Sequence, residues 1–214
     1  WASRGAAAPL YVVPPGITLD GAAAAPPPRR NGSRPLRIGF VSRLAPQKSP
    51  GLFVRAAAAV AVLYADRPAS VSFVVLGDGP LRAALEGLAA RLGLRVTGAA
   101  FYDGDSAPGA ATMHFAGWLA PEGVRAAIAT TMDVVVHSNV LEETFCMCNV
   151  EAMAEAVPVV SFGVGGVSEY LGARADHGTI VRTPSVAALV AALVDAIEDP
   201  AAAACGDDGA RERS

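Results

Sequence analysis

Residues Leu141–Pro158 read LEETFCMCNVEAMAEAVP, and the segments on either side of them decide the fold class. Before them stands Val134-Val135-Val136, and Pro158-Val159-Val160 follows. Short β-branched runs like these read as buried strands. A strand, a loop, a short helix and a second strand make one crossover of an α/β sheet. In that layout the loop and the helix N-terminus lie at the carboxyl edge of the sheet, where such folds take ligands. Glu143 and Glu151 stand eight positions apart, which along one continuous helix is about 12 Å of rise and about 80° of rotation. With a helix that begins near Phe145 or Cys146, Glu143 falls in the loop and Glu151 within the helix. The amides of Cys146, Met147 and Cys148 then lie between two carboxylates. Backbone N–H groups at a helix start favour phosphate, whereas carboxylates repel phosphate and accept hydrogen bonds from sugar hydroxyls. Hydroxyls, phosphates, hydroxyls is the chemical order of a sugar–diphosphate–ribose molecule. Two solvated glutamates on an amphipathic helix remain the competing reading, which spacing alone does not displace.

The same alternation runs outward through the chain. Leu36–Ser42, Val71–Leu76, Met113–Ala116, Asp133–Val136, Pro158–Phe162 and Gly178–Val181 read as strands. Helices are expected over Gly51–Ala65, from Pro80 to about Leu92, over Pro121–Thr130, from the Gly163–Gly166 loop to Leu171, and over Ser185–Glu198. Arg95–Thr112 carries glycines, Asp103, Asp105 and Pro108 and reads as an irregular insertion, with room for a short strand at Ala99–Tyr102. Five or six parallel strands with helices between them make an α/β, doubly wound, Rossmann-like sheet. Right-handed crossovers then bring Arg43–Lys48, Gly77–Gly79, Gly117–Leu119, Ser138–Cys148 and Gly163–Gly166 to one edge. Upstream, Leu10–Val13 reads as a strand, Pro14-Pro15-Gly16 as a turn, and residues 21–35 as a Pro/Ala-rich linker. The domain is expected over 36–200, with 201–214 as a tail.

Composition narrows the classes. The chain has 214 residues and a formal net charge of −3, which argues against a nucleic-acid surface. Hydrophobic residues make up 52%, but alanine carries much of that, and the longest apolar run is too short to span a bilayer. No secretory signal is visible. Three cysteines make neither a disulfide framework nor a four-ligand zinc site, and the default is a soluble protein in a reducing compartment, on the cytoplasmic side. The first residue is Trp1, so the sequence is read as a piece of a longer chain. Its basic residues are sixteen arginines and one lysine, Lys48.

Arg43 and Lys48 flank the loop after the first domain strand. Two cations there could neutralise a diphosphate and stabilise it as a leaving group; ordinary loop charges are the bland alternative. Gly77-Asp78-Gly79 invites a dinucleotide-binding reading, and with it an oxidoreductase, but the third glycine of that fingerprint falls at Arg82. A tight turn with Pro80 at the helix start explains it better. Cys146 and Cys148, two apart near a helix start, are not expected to face each other, and no His completes a metal set from spacing. His114, His137 and His177 are expected to be structural.

With these stretches placed, the chain resembles the C-terminal domain of the retaining family 4 glycosyltransferases, which have the GT-B fold. VVPPGITLD resembles the strand and turn before the family's domain linker, which makes residues 1–20 the end of an N-terminal domain. SRLAPQKSPGLFVRAA is similar to its G-R-L…K-G stretch, and FVVLGDGPLRAALEGLAARLGL to its second strand and helix. MHFAGWL resembles the strand and glycine before its base-binding loop. MDVVVHSNVLEETFCMCNVEAMAEAVPVVSFGVGG resembles its E-x-F-G…E-A-M-A-x-G-x-P-V-V…G-G block. Five such stretches in the right order cover nearly the whole chain. The family's glycines are replaced by Ser42, Cys146 and Ala156.

The resemblance implies that Arg43 and Lys48 bind the donor diphosphate and that Glu151 holds the ribose hydroxyls. Glu143, with amides around Phe145, Cys146 and Met147, would hold the donor sugar, and amides near Cys146–Cys148 the phosphates. Gly117, Trp118 and Leu119 would border the base. It further implies a nucleotide-diphosphate sugar as donor, a UDP-linked hexose by family frequency, transferred with retention and with no metal. The acceptor site would belong to an N-terminal domain. A non-catalytic nucleotide-sugar-binding or interaction module is the alternative the sequence leaves open.

Overall fold

The computed structural model describes residues 15–17, 35–66, 71–98, 111–141, 143–171 and 178–198. Seven strands form one sheet: β1 (Leu36–Val41), β2 (Val71–Leu76), β3 (Arg95–Thr97), β4 (Thr112–Gly117), β5 (Val134–His137), β6 (Val159–Phe162) and β7 (Gly178–Val181). Their order is β3-β4-β2-β1-β5-β6-β7, and every named pairing is parallel. Between them run α1 (Pro50–Leu63), α2 (Arg82–Arg91), α3 (Pro121–Thr131), α4 (Met147–Ala154) and α5 (Val167–Leu171), with α6 (Val186–Glu198) last. The expected doubly wound architecture is therefore present.

Side-chain alternation along the central strands separates two apolar layers. Ile38, Phe40, Phe73, Val75, Val134, Val136, Val160 and Phe162 face one of them, with α1, α2 and α6. Val41, Val74, Leu76, Val135 and Val159 face the other, with α3, α4 and α5. Burial on both faces is why these strands read as continuous apolar runs rather than as alternating ones. Phe53 of α1 is fully buried, stacked on Phe40 at 5.4 Å between centroids and edge-on to Phe73 at 6.4 Å. Gly39 faces the second layer, where a Cβ would stand 2.2 Å from Met132 Sδ.

The edge differs from expectation. The stretch read as irregular from Arg95 onward begins with β3, three residues paired with Thr112–His114. Its residues are half-exposed and it is too short to show periodicity, so apolar pattern could not reveal it. Arg95 Nε donates to Thr112 Oγ1 at 3.1 Å across that pairing. Helix α2 starts at Arg82, with Pro80 in the preceding turn rather than at the helix start. The expected strands at Leu10–Val13 and Ala99–Tyr102, most of the linker, the tail and His177 lie outside the described residues.

The direction of chain travel reverses in sheet order between β1 and β5, whose register pairs Phe40 with Val136. Loops leaving two such strands diverge to opposite faces and open a crevice at their carboxyl ends. That crevice holds the site.

Candidate donor cleft

A cleft of about 530 Å³ lies at this edge, lined by Ser42, Arg43, Lys48, Gly77, Asp78, Trp118, Leu119, Glu143, Cys146, Met147, Cys148 and Glu151 among others. Of the residues singled out from sequence, Arg43, Lys48, Trp118, Leu119, Glu143, Cys146, Met147, Cys148 and Glu151 all line it. Gly117 sits one position behind the wall, its carbonyl accepting from Gly77 N–H at 2.8 Å. The Phe145 ring packs on Tyr170, 5.2 Å between centroids, and does not line the cleft.

Each loop is held by another. The Gly77 and Gly79 backbones adopt φ of +132° and +157°, and a Cβ there would lie 2.0 Å from Ser42 O and 2.5 Å from Leu44 O. Leu44 N–H donates to Asp78 O, and Leu81 N–H to Leu44 O. The close approach of the β1 and β2 loops is thus sufficient reason for both glycines. On the other side, Gly165 and Gly166 press against the Glu143–Thr144 backbone. A Cβ on Gly166 would stand 2.1 Å from Thr144 O, and Gly166 N–H donates to Glu143 O at 2.9 Å. The loop after β6 therefore sets the height of Glu143.

Lys48 ends a 3-10 turn, Pro46–Lys48, and reaches Glu143 as an ion pair. Asn139 Nδ2 donates to the same carboxylate oxygen at 3.2 Å, and His137 Nε2 lies 3.8 Å from it. Burial opposes ionisation of Glu143, but Lys48, then His137 and Asn139, overcome it and hold the carboxyl below its ordinary range. Glu151 goes the other way. Burial raises its pKa, Arg125 opposes this, and Cys146 adds to it. Two carboxylates in one cleft thus differ in how readily they take a proton. Arg125 is itself bound to Glu155, at 3.0 Å from Nε and 2.6 Å from Nη2.

His137 and Asn139 were not placed in this cluster from sequence; the only signal for them was polar residues at and just after the end of a buried strand. Helix α4, which carries Glu151, begins at Met147, with Cys146 preceding it at φ 59° and no side-chain cap. Cys146, Met147 and Cys148 at this helix start line the cleft, and amides at a helix start lack an intrahelical partner. One expectation fails here. The Cys146 and Cys148 thiols do face each other, Sγ to Sγ at 3.2 Å. The left-handed turn at Cys146 takes it out of the helical geometry in which residues two apart point to opposite sides. Among the described residues no group of three or more His, Cys, Asp or Glu side chains could hold a metal ion, and no helix is long and apolar enough to cross a membrane.

Comparison with known proteins gives this geometry a family. The family described as glycosyl transferases group 1 matches residues 35–199. A 2-deoxystreptamine glucosyltransferase of Streptomyces kanamyceticus is 32% identical over 205 residues, covering 90% of this chain and 46% of that protein. Among solved structures, Anabaena HepE in complex with UDP-glucose superposes with a TM-score of 0.61 at 24% identity, covering 79% of this chain and 41% of that one. The C-terminal domain of LpcC from Francisella tularensis, a glycosyl transferase group 1 family protein, gives 0.59 at 20% identity, covering 81% of this chain and 82% of that one. The chain spans less than half the length of the first two. The sheet and its flanking helices match the C-terminal domain of GT-B glycosyltransferases, and the chain belongs to the glycosyl transferases group 1 family.

Proposed function

We propose that this chain is the donor half of a retaining glycosyltransferase of family 4, binding a nucleotide-diphosphate sugar, UDP-hexose first among them. The observation that carries the reading is the convergence of Arg43, Lys48, Glu143, Glu151 and the open N-terminus of α4 on one cleft. Arg43, Lys48 and the amides of Cys146, Met147 and Cys148 take the diphosphate. Glu151 accepts from the ribose hydroxyls and Glu143 from the sugar, while Gly117, Trp118 and Leu119 border the base. The exposed Trp118 ring offers that base an apolar surface. Departure of the diphosphate develops negative charge, which Arg43, Lys48 and the helix amides stabilise with no metal. Since Lys48 and Glu143 are paired in the free protein, donor binding replaces part of that contact by contacts to phosphate and sugar.

The acceptor, in this reading, is held by a second domain across the cleft, in the part of the relatives' length that this chain does not span. Division of the chain into an N-terminal remnant (1–20), a linker (21–35), the donor domain (36–200) and a tail (201–214) goes with it, as does a place on the cytoplasmic side. Alone the chain then binds donor and transfers little, because transfer needs a positioned acceptor. Calorimetric titration with UDP, UDP-glucose and NADH tests the class. UDP and UDP-glucose are expected to bind saturably with no NADH binding. Tight NADH binding without UDP binding would overturn the reading in favour of a dinucleotide-dependent oxidoreductase domain.

A further inference from the structure

Among the described residues, Cys146 and Cys148 carry free thiols, and the donor reading uses only their backbone amides. Their side chains have an arrangement of their own. The two sulfurs stand 3.2 Å apart at the head of α4, and both residues line the cleft. A bonded pair needs about 2.05 Å, so a small movement of the intervening peptide joins them.

A third group is aimed at the pair. His137 is buried, and its Nδ1 lies 3.1 Å from Ser161 Oγ. Ser161 donates its own proton to Phe162 O at 3.1 Å, so it accepts from Nδ1–H. That leaves Nε2, which is buried and has no hydrogen-bond partner, 3.8 Å from Glu143 Oε2; the His137 ring also helps to lower the Cys146 pKa, which sets it beside that thiol. A buried nitrogen without a partner costs free energy unless something uses it. The Cys148 thiol lowers the Cys146 pKa by hydrogen bonding to its sulfur; burial opposes this and His137 reinforces it. Cys148 is pushed up by the same hydrogen bond and by burial. One sulfur is thereby prepared as a nucleophile while the other keeps its proton.

We propose that Cys146 and Cys148 form a dithiol–disulfide site that hydroperoxides oxidise, and that closing it shuts the diphosphate corner of the cleft. The Cys146 proton passes to His137 Nε2, and the thiolate attacks the hydroperoxide. The O–O bond breaks, an alcohol or water leaves with the proton returned by His137, and Cys146 becomes a sulfenic acid. Cys148 sulfur then attacks Cys146 sulfur, the S–O bond breaks, and the departing hydroxide takes the Cys148 proton as water. Two thiols lose two electrons, and one hydroperoxide is reduced to an alcohol and water. The new bond pulls on Met147, whose amide belongs to the first turn of α4. The effect on donor affinity rests on the donor reading above; the sulfur chemistry does not.

The test uses the full chain with Cys205→Ser, so that only this pair can react. Hydrogen peroxide is expected to remove both titratable thiols, with a mass loss of two hydrogens that dithiothreitol reverses. UDP affinity should fall about ten-fold or more on oxidation and return on reduction. With Cys148→Ser, or Cys148→Ala if the serine variant folds poorly, the disulfide is lost and dimedone should label Cys146. Thiols that survive peroxide, or a disulfide that leaves UDP affinity unchanged, would overturn the proposal. A reduced chain that fails to bind UDP overturns the donor reading instead, and the thiol count then decides the dithiol site by itself.

Discussion

Glu143 is surrounded by groups that favour its charge: the Lys48 ammonium, the Asn139 amide and, when Nε2 carries a proton, the His137 ring. Their combined effect outweighs burial, so its folded pKa lies below the ordinary 4.5. A carboxyl depressed in this way contributes stability that is present above pH 4.5 and lost as pH falls through the folded value. Glu143→Gln should therefore lower unfolding stability at pH 7 by about 1.5–3 kcal/mol, the range for hydrogen bonds to charged groups. Urea denaturation at pH 7 and pH 3 checks this, and the difference should shrink at the lower pH. A pH-independent difference would mean that the carboxylate charge is not what Lys48 stabilises. Gly166 acts on the same residue from below. Gly166→Ala puts a methyl group 2.1 Å from Thr144 O, so the Glu143 loop must move, and UDP affinity should fall about ten-fold. Spacing alone left the two glutamates open to a bland reading; their place at the carboxyl edge, opposite Arg43 and Lys48, is what singled them out, and both line the cleft. The Gly163–Gly166 loop was placed at the same edge, but its contact with the Glu143 backbone was not legible, because it joins loops more than twenty residues apart.

At the scale of elements, α2 and α4 end alike with different residues. In α2, Leu94 N–H donates to Ala89 O and Gly93 N–H to Ala90 O, with Gly93 at φ +85°. In α4, Val157 N–H donates to Ala152 O and Ala156 N–H to Met153 O, with Ala156 at φ +55°. Both close the last carbonyls through a left-handed residue, where glycine is the unstrained choice. Ala156→Gly should stabilise the chain by about 1 kcal/mol, read as a higher denaturant midpoint at unchanged slope. No change would show that Ala156 carries no strain. Helix positions were legible to within a residue or two from apolar pattern and, for α1 and α3, from Pro at their starts. β3 was not, since three half-exposed residues leave no pattern, and neither was the thiol pair, since a left-handed Cys146 breaks the spacing rule from which it was judged.

For the molecule as a whole, two apolar layers hold one sheet, and the layer under α1, α2 and α6 holds Phe40, Phe53, Phe73 and Phe115. Phe53 is its centre, and Phe53→Ala should cost about 3–5 kcal/mol, from lost transfer energy and the cavity left behind. Loss of that size takes much of a domain's net stability, and thermal unfolding would show it directly. Strand order was legible as a class, because consecutive βα units with buried strands admit few topologies. The order then places five loops at one edge, and so brings Arg43, Lys48, Glu143 and Glu151 together from distant parts of the chain. Whether that edge binds a nucleoside diphosphate is the central claim. Isothermal titration of UDP into the chain and into Lys48→Ala and Glu151→Ala variants tests it most directly. Affinity is expected to drop about ten-fold or more in each, roughly 1.4 kcal/mol; equal affinity in all three proteins would contradict the assigned site.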